Sequence, residues 1–230
     1  MAFAAIGTSF IGTICLMSPF VTMQLKSPLP YMSTPRRKVL AALEEISRRR
    51  ELKKQPPVLE RRVSNHKTTF KLTPQLRYYD LGSGDGETVL GAARIGWRST
   101  GIELNSTLWA LSSIRRWFSS STIRNSSNFT RGDFWQHSIA DADAVMIFGV
   151  KPLMPKIATK IAQECQPGTF VMSYRFHVPL ALSNQSLVDQ DRSEQHSVKV
   201  HSTTKEKGFL NATLVYDKDE MRIYELLQYK

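Results

Sequence analysis

The chain has 230 residues, enough for one compact domain with extensions, and 41% of them are hydrophobic, which is ample for a buried core. Its two cysteines, Cys15 and Cys165, and its five histidines are too few and too scattered for a disulfide framework or a metal site. The formal net charge of +11 predicts an acidic partner, either nucleic acid or anionic lipid.

The first 25 residues, Met1 to Leu25, contain no charged side chain. A bilayer core needs about 20 apolar residues, so residues 1–25 are predicted to form an uncleaved membrane anchor. A cleaved secretory signal is an alternative, although the segment lacks the usual basic start. A buried helix is another, although Gly7, Gly12 and Pro19 disfavour a helix interior.

Residues 26–75 combine a proline-containing connector, a helix and a basic linker. The helix is predicted to begin at Pro35, with Val39, Leu40, Leu43 and Ile46 as its apolar stripe, and to be broken by the run 48–57. Residues 36–67 hold eleven basic and four acidic side chains, which is most of the excess charge. This segment is either a solvated face or, as we expect, a site for anionic lipid, at roughly 1 kcal/mol per basic residue.

The domain proper, residues 76–230, begins with a strand, a glycine-rich turn and a helix. The strand is predicted over 76–81 and the helix over 88–95, and between them stands Asp80-x-Gly82-x-Gly84-x-Gly86. Such a turn offers free backbone N–H groups to a ligand. A phosphate would lie close to the acids at 80, 85 and 87, so a ligand with an amino group, a carboxylate and a sulfonium fits better.

Two further predicted strands also end near acids. The strand 99–103 ends on Glu103, which can accept hydrogen bonds from both ribose hydroxyls of a nucleoside. The strand 127–131 is followed by Asp133, a candidate acceptor for an adenine amino group, and by Phe134, whose ring can cover the base. The alternative for Glu103 and Asp133 is helix N-capping, since each precedes a predicted helix.

The remaining pattern alternates helices and strands. Helices are predicted over 105–118, with Leu108, Leu111 and Ile114 inward, and over 152–165; strands over 144–148 and 169–174; a polar loop over 119–128; and a hairpin of 212–216 with 222–227. Residues 189–207 are predicted to form a loop. This alternation predicts an α/β fold with a parallel sheet that ends in an antiparallel hairpin.

These motifs resemble those of class I S-adenosylmethionine-dependent methyltransferases. More closely, Asp80-Leu81-Gly82-Ser83-Gly84-Asp85-Gly86, Gly101-Ile102-Glu103-Leu104-Asn105, Asp133-Phe134-Trp135, Ile147-Phe148-Gly149-Val150 and Arg175-Phe176 are similar to motifs of the mitochondrial lysine methyltransferases that modify the ATP synthase c-subunit and the ADP/ATP carrier. The resemblance covers Ile6 to about Lys38 and Tyr79 to about Pro179. It implies a Rossmann-like seven-stranded sheet with a C-terminal β-hairpin, a membrane protein lysine as substrate, and a location at the mitochondrial inner membrane.

The resemblance also implies a set of site residues. The expected S-adenosyl-L-methionine contacts are Asp80, Gly82, Ser83, Gly84, Asp85, Gly86, Glu103, Asn105, Asp133, Phe134 and Phe148. Phe148 and Tyr174 are the catalytic candidates, Tyr174 as a proton acceptor, and ordinary core packing is the alternative for Phe148. Phe148-Gly149-Val150 replaces the Asn/Asp-Pro-Pro-Tyr of enzymes that methylate bases, so no nucleic-acid partner is expected.

Two other functions remain open at this point. A chromatin lysine methyltransferase shares the Asp-Leu-Gly-Ser-Gly turn and a basic flank, although an uncharged N-terminal span disfavours it. A membrane-tethered module that binds the cofactor without turnover is the alternative outside enzymes. The sequence leaves open the target lysine, the number of methyl groups, and the oligomeric state.

Overall fold

The computed structural model describes residues 34–54, 75–149, 151–182 and 211–227. The predicted anchor, residues 1–25, and the predicted loop 189–207 lie outside these ranges. Within them, no helix combines the length and the apolar character that a bilayer crossing requires. The described chain forms two compact units, one of residues 34–41 and 75–137, the other of residues 42–54 and the described part of 138–230.

The elements follow one another along the chain as helices and strands of ordinary length. The helices are α1 (Arg36–Lys54), α2 (Glu87–Arg94), α3 (Ser106–Trp117), α4 (Ser121–Ser126) and α5 (Met154–Glu164), with 3-10 turns at Phe134–Gln136 and Lys151–Leu153. The strands are β1 (Arg77–Leu81), β2 (Arg98–Glu103), β3 (Ser127–Arg131), β4 (Ala144–Ile147), β5 (Phe170–Tyr174), β6 (Ala181–Leu182), β7 (Asn211–Lys218) and β8 (Met221–Leu227).

In the first unit, three parallel strands lie in the order β3-β2-β1. Their register places Leu81 beside Ile102, and Glu103 beside Arg131, so the carboxyl ends of the strands lie at one edge. Helix α2 follows β1 and buries six consecutive residues, Thr88 to Ala93. Its small residues permit close packing, because a Cβ on Gly91 would lie 3.1 Å from the Leu40 side chain of α1.

In the second unit, β4 and β5 are parallel. Strand β5 also pairs with β8, and β8 pairs with β7, both in the antiparallel sense. Every residue of β4 and β5 is buried, as expected for strands covered on both faces. A two-residue strand, β6, pairs with β7 and was not predicted. The predicted hairpin is confirmed, with its turn at Asp219 and Glu220, both at positive φ.

The predicted α/β class is therefore confirmed, with parallel strands followed by an antiparallel hairpin. The apolar stripe of α1 is confirmed as well, since Val39, Leu43 and Ile46 are fully buried. The anchor that completes the predicted architecture lies outside the described residues.

Three local predictions were wrong. Helix α1 continues past residue 48 to Lys54, because Glu45 accepts hydrogen bonds from Arg48 and Arg49 on the next turn and supports the helix there. Residues 121–126 form α4 rather than a polar loop. On α3, Leu108 is buried as predicted, but Leu111 and Ile114 are exposed.

Two basic residues at the end of α1 bind other residues of the second unit, to which this part of α1 belongs. Arg49 donates to the carbonyl oxygen of Val215 over 2.9 Å. Arg50 donates to the Asp143 carboxylate and, over 3.0 Å, to the carbonyl oxygen of Gly168. These two arginines therefore fulfil a structural role, which reduces the part of the 36–67 segment that is available to lipid.

Replacing Arg50 by Met should destabilise the fold by about 2 kcal/mol, because the partly buried Asp143 carboxylate would lose its ionic partner. The midpoint of urea unfolding measures the change. Arg48→Met is the matched control, since Arg48 is mainly exposed and pairs with Glu45 of its own helix. Equal midpoints for the two variants would contradict this role of Arg50.

Candidate functional site

The glycine-rich turn between β1 and α2 folds back onto β2. Gly82, Gly84 and Gly86 all have positive φ angles, of 82°, 57° and 77°, a conformation that side chains with a Cβ rarely adopt. The backbone N–H groups of Gly82 and Ser83 both donate to the carbonyl oxygen of Ile102, over 2.9 and 3.1 Å. The turn is thus held at the carboxyl edge of the strands, where ligands bind in open α/β sheets.

Glu103 ties this turn to the end of β2. Its Oε2 accepts a hydrogen bond from the backbone N–H of Gly84, and its Oε1 from that of Asn105, each over 2.8 Å. The side chain is almost fully buried. A carboxylate offers about four acceptor positions, so two remain for a ligand, which matches a pair of ribose hydroxyls.

The capping alternative for Glu103 is excluded by its neighbour. Asn105 caps α3, its Oδ1 accepting from the N–H groups of Thr107 and Leu108 over 2.9 and 3.3 Å. Asn105 was predicted to contact the cofactor, and the structure gives it this helix-capping role. Its cofactor contact stays a prediction.

Asp80, at the end of β1, is buried and accepts a hydrogen bond from the Thr88 hydroxyl. Burial raises the pKa of Asp80 to about 6, and repulsion from Glu103 and Asp85 acts in the same direction. The donors that bond Asp80 and Glu103 are neutral, whereas Asp85 is paired with Arg115 over 2.5 Å. The turn therefore presents a negative field, which suits a cationic ligand better than a phosphate.

The Ser83 hydroxyl supplies a test of whether a ligand fits here. Its Oγ is buried and has no hydrogen-bond partner in the protein. A buried hydroxyl without a partner destabilises the fold unless a ligand or a water molecule forms a hydrogen bond with it. A Cβ built on Gly101 would lie 2.6 Å from this oxygen, so glycine at 101 leaves the space that Ser83 occupies. An unsatisfied hydroxyl beside two buried acids fits a cationic ligand that carries hydroxyl or amino groups.

Asp133 caps the short helix that follows β3. Its Oδ1 accepts from the N–H of Trp135 over 3.0 Å, so the capping alternative is confirmed for this residue. The rings of Phe134 and Trp135 lie 4.5 Å apart between centroids and are tilted by 43°. The predicted contacts of Asp133 and Phe134 with adenine stay predictions.

The second unit brings together the two residues predicted to be catalytic. The rings of Phe148 and Tyr174 lie 5.6 Å apart between centroids and are tilted by 45°. Phe148 follows β4 and is half-buried, whereas Tyr174 ends β5 and is buried. The structure thus pairs these two aromatic side chains, as expected if they serve one site.

The residue after Tyr174 is held in an unfavourable conformation. Arg175 has a φ of 69°, which costs about 1–3 kcal/mol outside glycine. Its N–H donates to the carbonyl oxygen of Glu220 over 2.8 Å, and Arg222 donates to its carbonyl oxygen over 3.1 Å. The Arg175 guanidinium then lies 5.6 Å from the centre of the Tyr174 ring. The β7–β8 hairpin therefore fixes the environment of Tyr174.

Two side chains near the glycine-rich turn of the first unit were not predicted from the sequence to belong to the site. Thr88 supports Asp80, and its signal in the sequence was a hydroxyl in the first turn of a helix that is otherwise mostly apolar. Arg115 neutralises Asp85 across 30 residues of sequence, and no local pattern indicates that contact.

Part of the chain is similar to known methyltransferases. Residues 80–185 match the family model described as "ANTKMT methyltransferase domain". The resemblance inferred from the motifs is therefore confirmed for that segment, which includes the glycine-rich turn, Glu103 and Tyr174.

Individual relatives agree with that match. The chain is 37% identical over 100 residues to the ATP synthase c-subunit lysine N-methyltransferase of Rattus norvegicus, covering 44% of this chain and 45% of that protein. It is 35% identical over 101 residues to the adenine nucleotide translocase lysine N-methyltransferase of Mus musculus, covering 44% and 43%. The aligned part thus spans less than half of the length of these relatives.

A shorter archaeal protein aligns over more of its length. The protein-lysine N-methyltransferase of Saccharolobus islandicus is 25% identical over 127 residues, covering 54% of this chain and 76% of that protein. Among solved structures, an RNA methyltransferase from Salinibacter ruber in complex with S-adenosyl-L-homocysteine covers 67% of this chain and 82% of that chain, with 21% identity and a TM-score of 0.46. At that level of likeness no functional conclusion follows.

Proposed function

We propose that this protein is an S-adenosylmethionine-dependent protein-lysine N-methyltransferase that modifies a mitochondrial membrane protein of the ATP synthase c-subunit or ADP/ATP-carrier type. The match of residues 80–185 to the methyltransferase family model supports the reaction class. The observation that carries the proposal is the buried Glu103 carboxylate, which holds the glycine-rich turn and keeps acceptor positions for a ribose.

The first unit supplies the groups that would hold the cofactor. Glu103 would accept the ribose hydroxyls, and Asp133 with Phe134 would bind adenine. The amino-acid part of the cofactor would lie against the turn of Gly82, Gly84 and Gly86, near Asp80. S-adenosylmethionine, when bound, supplies a methyl group on a sulfonium, and its positive charge fits the negative field of the two buried acids.

The acceptor lysine must be neutral before it attacks. The N–C bond forms as the S–C bond breaks, and the lysine proton has to leave because the ammonium has no lone pair. A free lysine has a pKa of about 10.4, and an apolar environment lowers it by disfavouring the charged form. Positioning and desolvation by aromatic side chains therefore account for much of the catalysis that such a site needs.

We assign different roles to the two aromatic residues of the second unit, Phe148 and Tyr174. Phe148 would line the methyl donor, and Tyr174 would accept the proton or position the amine. Tyr174→Phe should then lower kcat while leaving the dissociation constant of S-adenosylmethionine unchanged. This split separates a role towards the acceptor from a role in cofactor binding.

The affinity for the cofactor should depend on pH through Asp80. Below its pKa of about 6 this carboxyl is neutral, so its attraction for a cationic ligand is lost. The dissociation constant should rise as the pH falls from about 7 to 5, by up to about tenfold per unit. Calorimetric titration of wild type and Asp80→Asn at each pH measures this. A variant that keeps the full pH dependence would contradict the assignment to Asp80.

The relatives' named substrates and the sequence support a mitochondrial location. Both named substrates reside in mitochondria, and we assign the chain to the inner membrane, with residues 1–25 as its anchor. The basic 36–67 segment would contact anionic lipid through those basic residues that are not bound to the protein itself. Arg49 and Arg50 do not belong to that set.

Methyl transfer to separated cell fractions tests the function. The full chain, labelled S-adenosylmethionine and fractions from cells that lack the enzyme would be incubated together. Acid-stable label on a small membrane protein of mitochondria, absent with Glu103→Ala, is the expected result. Label on histones would instead establish a chromatin enzyme. Cofactor binding without label in any fraction would establish a binding module.

A further inference from the structure

One surface of the first unit stands apart by its exposed apolar side chains. Among the described residues, the large hydrophobic side chains that remain exposed all belong to one stretch: Leu104, Leu111, Ile114, Trp117 and Phe118. We refer to these five as the α3 apolar surface. Single exposed apolar residues are ordinary, but a concentration of five around one helix indicates an interaction site.

The helix geometry places three of these side chains together. Leu111, Ile114 and Phe118 follow the spacing i, i+3 and i+7, which is one face of a helix. The neighbouring face, about 100° around the helix, packs on the domain, since Leu108 and Ser112 are buried there. Trp117 is 72% exposed and Phe118 is 83% exposed, so both rings project from the end of the helix into solvent.

The stretch of sequence that carries this surface is basic. Between Leu104 and Gly132 the chain has four arginines and no Asp or Glu. Arg115 is neutralised by Asp85, but Arg116 and Arg124 donate to backbone carbonyl oxygens, which carry no net charge. Arg124 donates to the carbonyl oxygen of Trp117 over 2.9 Å, which places a guanidinium beside Trp117 and Phe118.

We propose that the α3 apolar surface docks on an anionic lipid bilayer. A Trp, a Phe and aliphatic side chains next to uncompensated arginines form the composition of a helix that lies in the headgroup region. Trp favours the boundary between headgroups and acyl chains, and the arginines match lipid phosphates. This surface is distinct from the 1–25 and 36–67 segments, and its docking requires no methyl transfer.

Quenching of Trp117 by lipid tests the proposal on the full chain. Vesicles would carry bromine on their acyl chains, and wild type would be compared with Trp117→Phe, which removes the probe but keeps an apolar ring. The difference between the two emission spectra isolates Trp117 from the other three tryptophans. Trp97→Phe is the matched control, since Trp97 is buried and its removal should leave the lipid-dependent quenching in place.

We expect strong quenching of Trp117 in phosphatidylglycerol vesicles and several-fold weaker quenching in phosphatidylcholine vesicles or at high salt. Ile114→Ser with Phe118→Ser keeps the probe, removes its apolar neighbours and should reduce the quenching several-fold. Unquenched Trp117 on a vesicle-bound chain would overturn the proposal. A blue shift of Trp117 emission that depends on protein concentration without lipid would also overturn it, in favour of a second copy of the chain.

Discussion

Replacing Glu103 by Ala should weaken S-adenosylmethionine binding at least about 100-fold. The variant loses two charge-assisted hydrogen bonds to the ribose and part of the negative field, and each such bond contributes on the order of 1.5–3 kcal/mol. It also releases the N–H groups of Gly84 and Asn105, so the turn loses its link to β2. Isothermal titration calorimetry with the cofactor measures the effect directly.

The matched control is Glu87→Ala, an exposed acid on the first turn of α2 that faces Arg36 at 3.6 Å. It removes one negative charge next to the glycine-rich turn without changing the buried carboxylate of Glu103. We expect its dissociation constant to stay within about twofold of wild type. A cooperative thermal transition in the Glu103 variant would confirm that it remains folded. An unchanged affinity in that folded variant would refute the site.

Replacing Gly86 by Ala should destabilise the protein by about 3 kcal/mol. Its φ of 77° costs a residue with a Cβ about 1–2 kcal/mol, and the new atom would lie 2.4 Å from the Phe129 ring. That partly buried ring packs on the cluster of Leu90, Ala93 and Ile123, so displacing it disturbs this packing. Thermal unfolding should show a decrease on the order of 10 °C.

Gly96→Ala separates the two causes. Gly96 also has a positive φ, of 95°, but no atom lies within 4 Å of the position of its Cβ. The control should therefore lose only the conformational part, about 1–2 kcal/mol. If Gly86→Ala were no more destabilising than Gly96→Ala, the close approach between the turn and Phe129 would not contribute to stability.

The core of the fold was predictable because its signals are local. The runs 144–148 and 169–174 are short, apolar and bounded by turn residues, and the structure places β4 and β5 within a residue of those limits. The turn at Gly82, Gly84 and Gly86 was predictable for the same reason, since the positive φ angles of these residues favour glycine, which is visible in the sequence.

What the sequence did not disclose depends on contacts between distant residues. Leu111 and Ile114 have the spacing of a core-facing stripe, yet α3 buries the face of Leu108 and Ser112 instead. Periodicity identifies an apolar face but not what covers it. The pairing of Asp85 with Arg115 and the support of Asp80 by Thr88 depend on tertiary packing, as does the strain at Arg175, and no spacing rule contains them.

The chemical identity of the methylated product tests the central claim most directly. Protein labelled by the full chain with S-adenosylmethionine would be hydrolysed completely in acid and its amino acids separated. We predict that the label elutes with N-methylated lysine from a mitochondrial membrane protein, and that Glu103→Ala abolishes it. Label on methylated arginine, label released as methylamine from a methylated glutamine amide, label on a nucleic-acid base, or no label although the cofactor binds would contradict the proposed function.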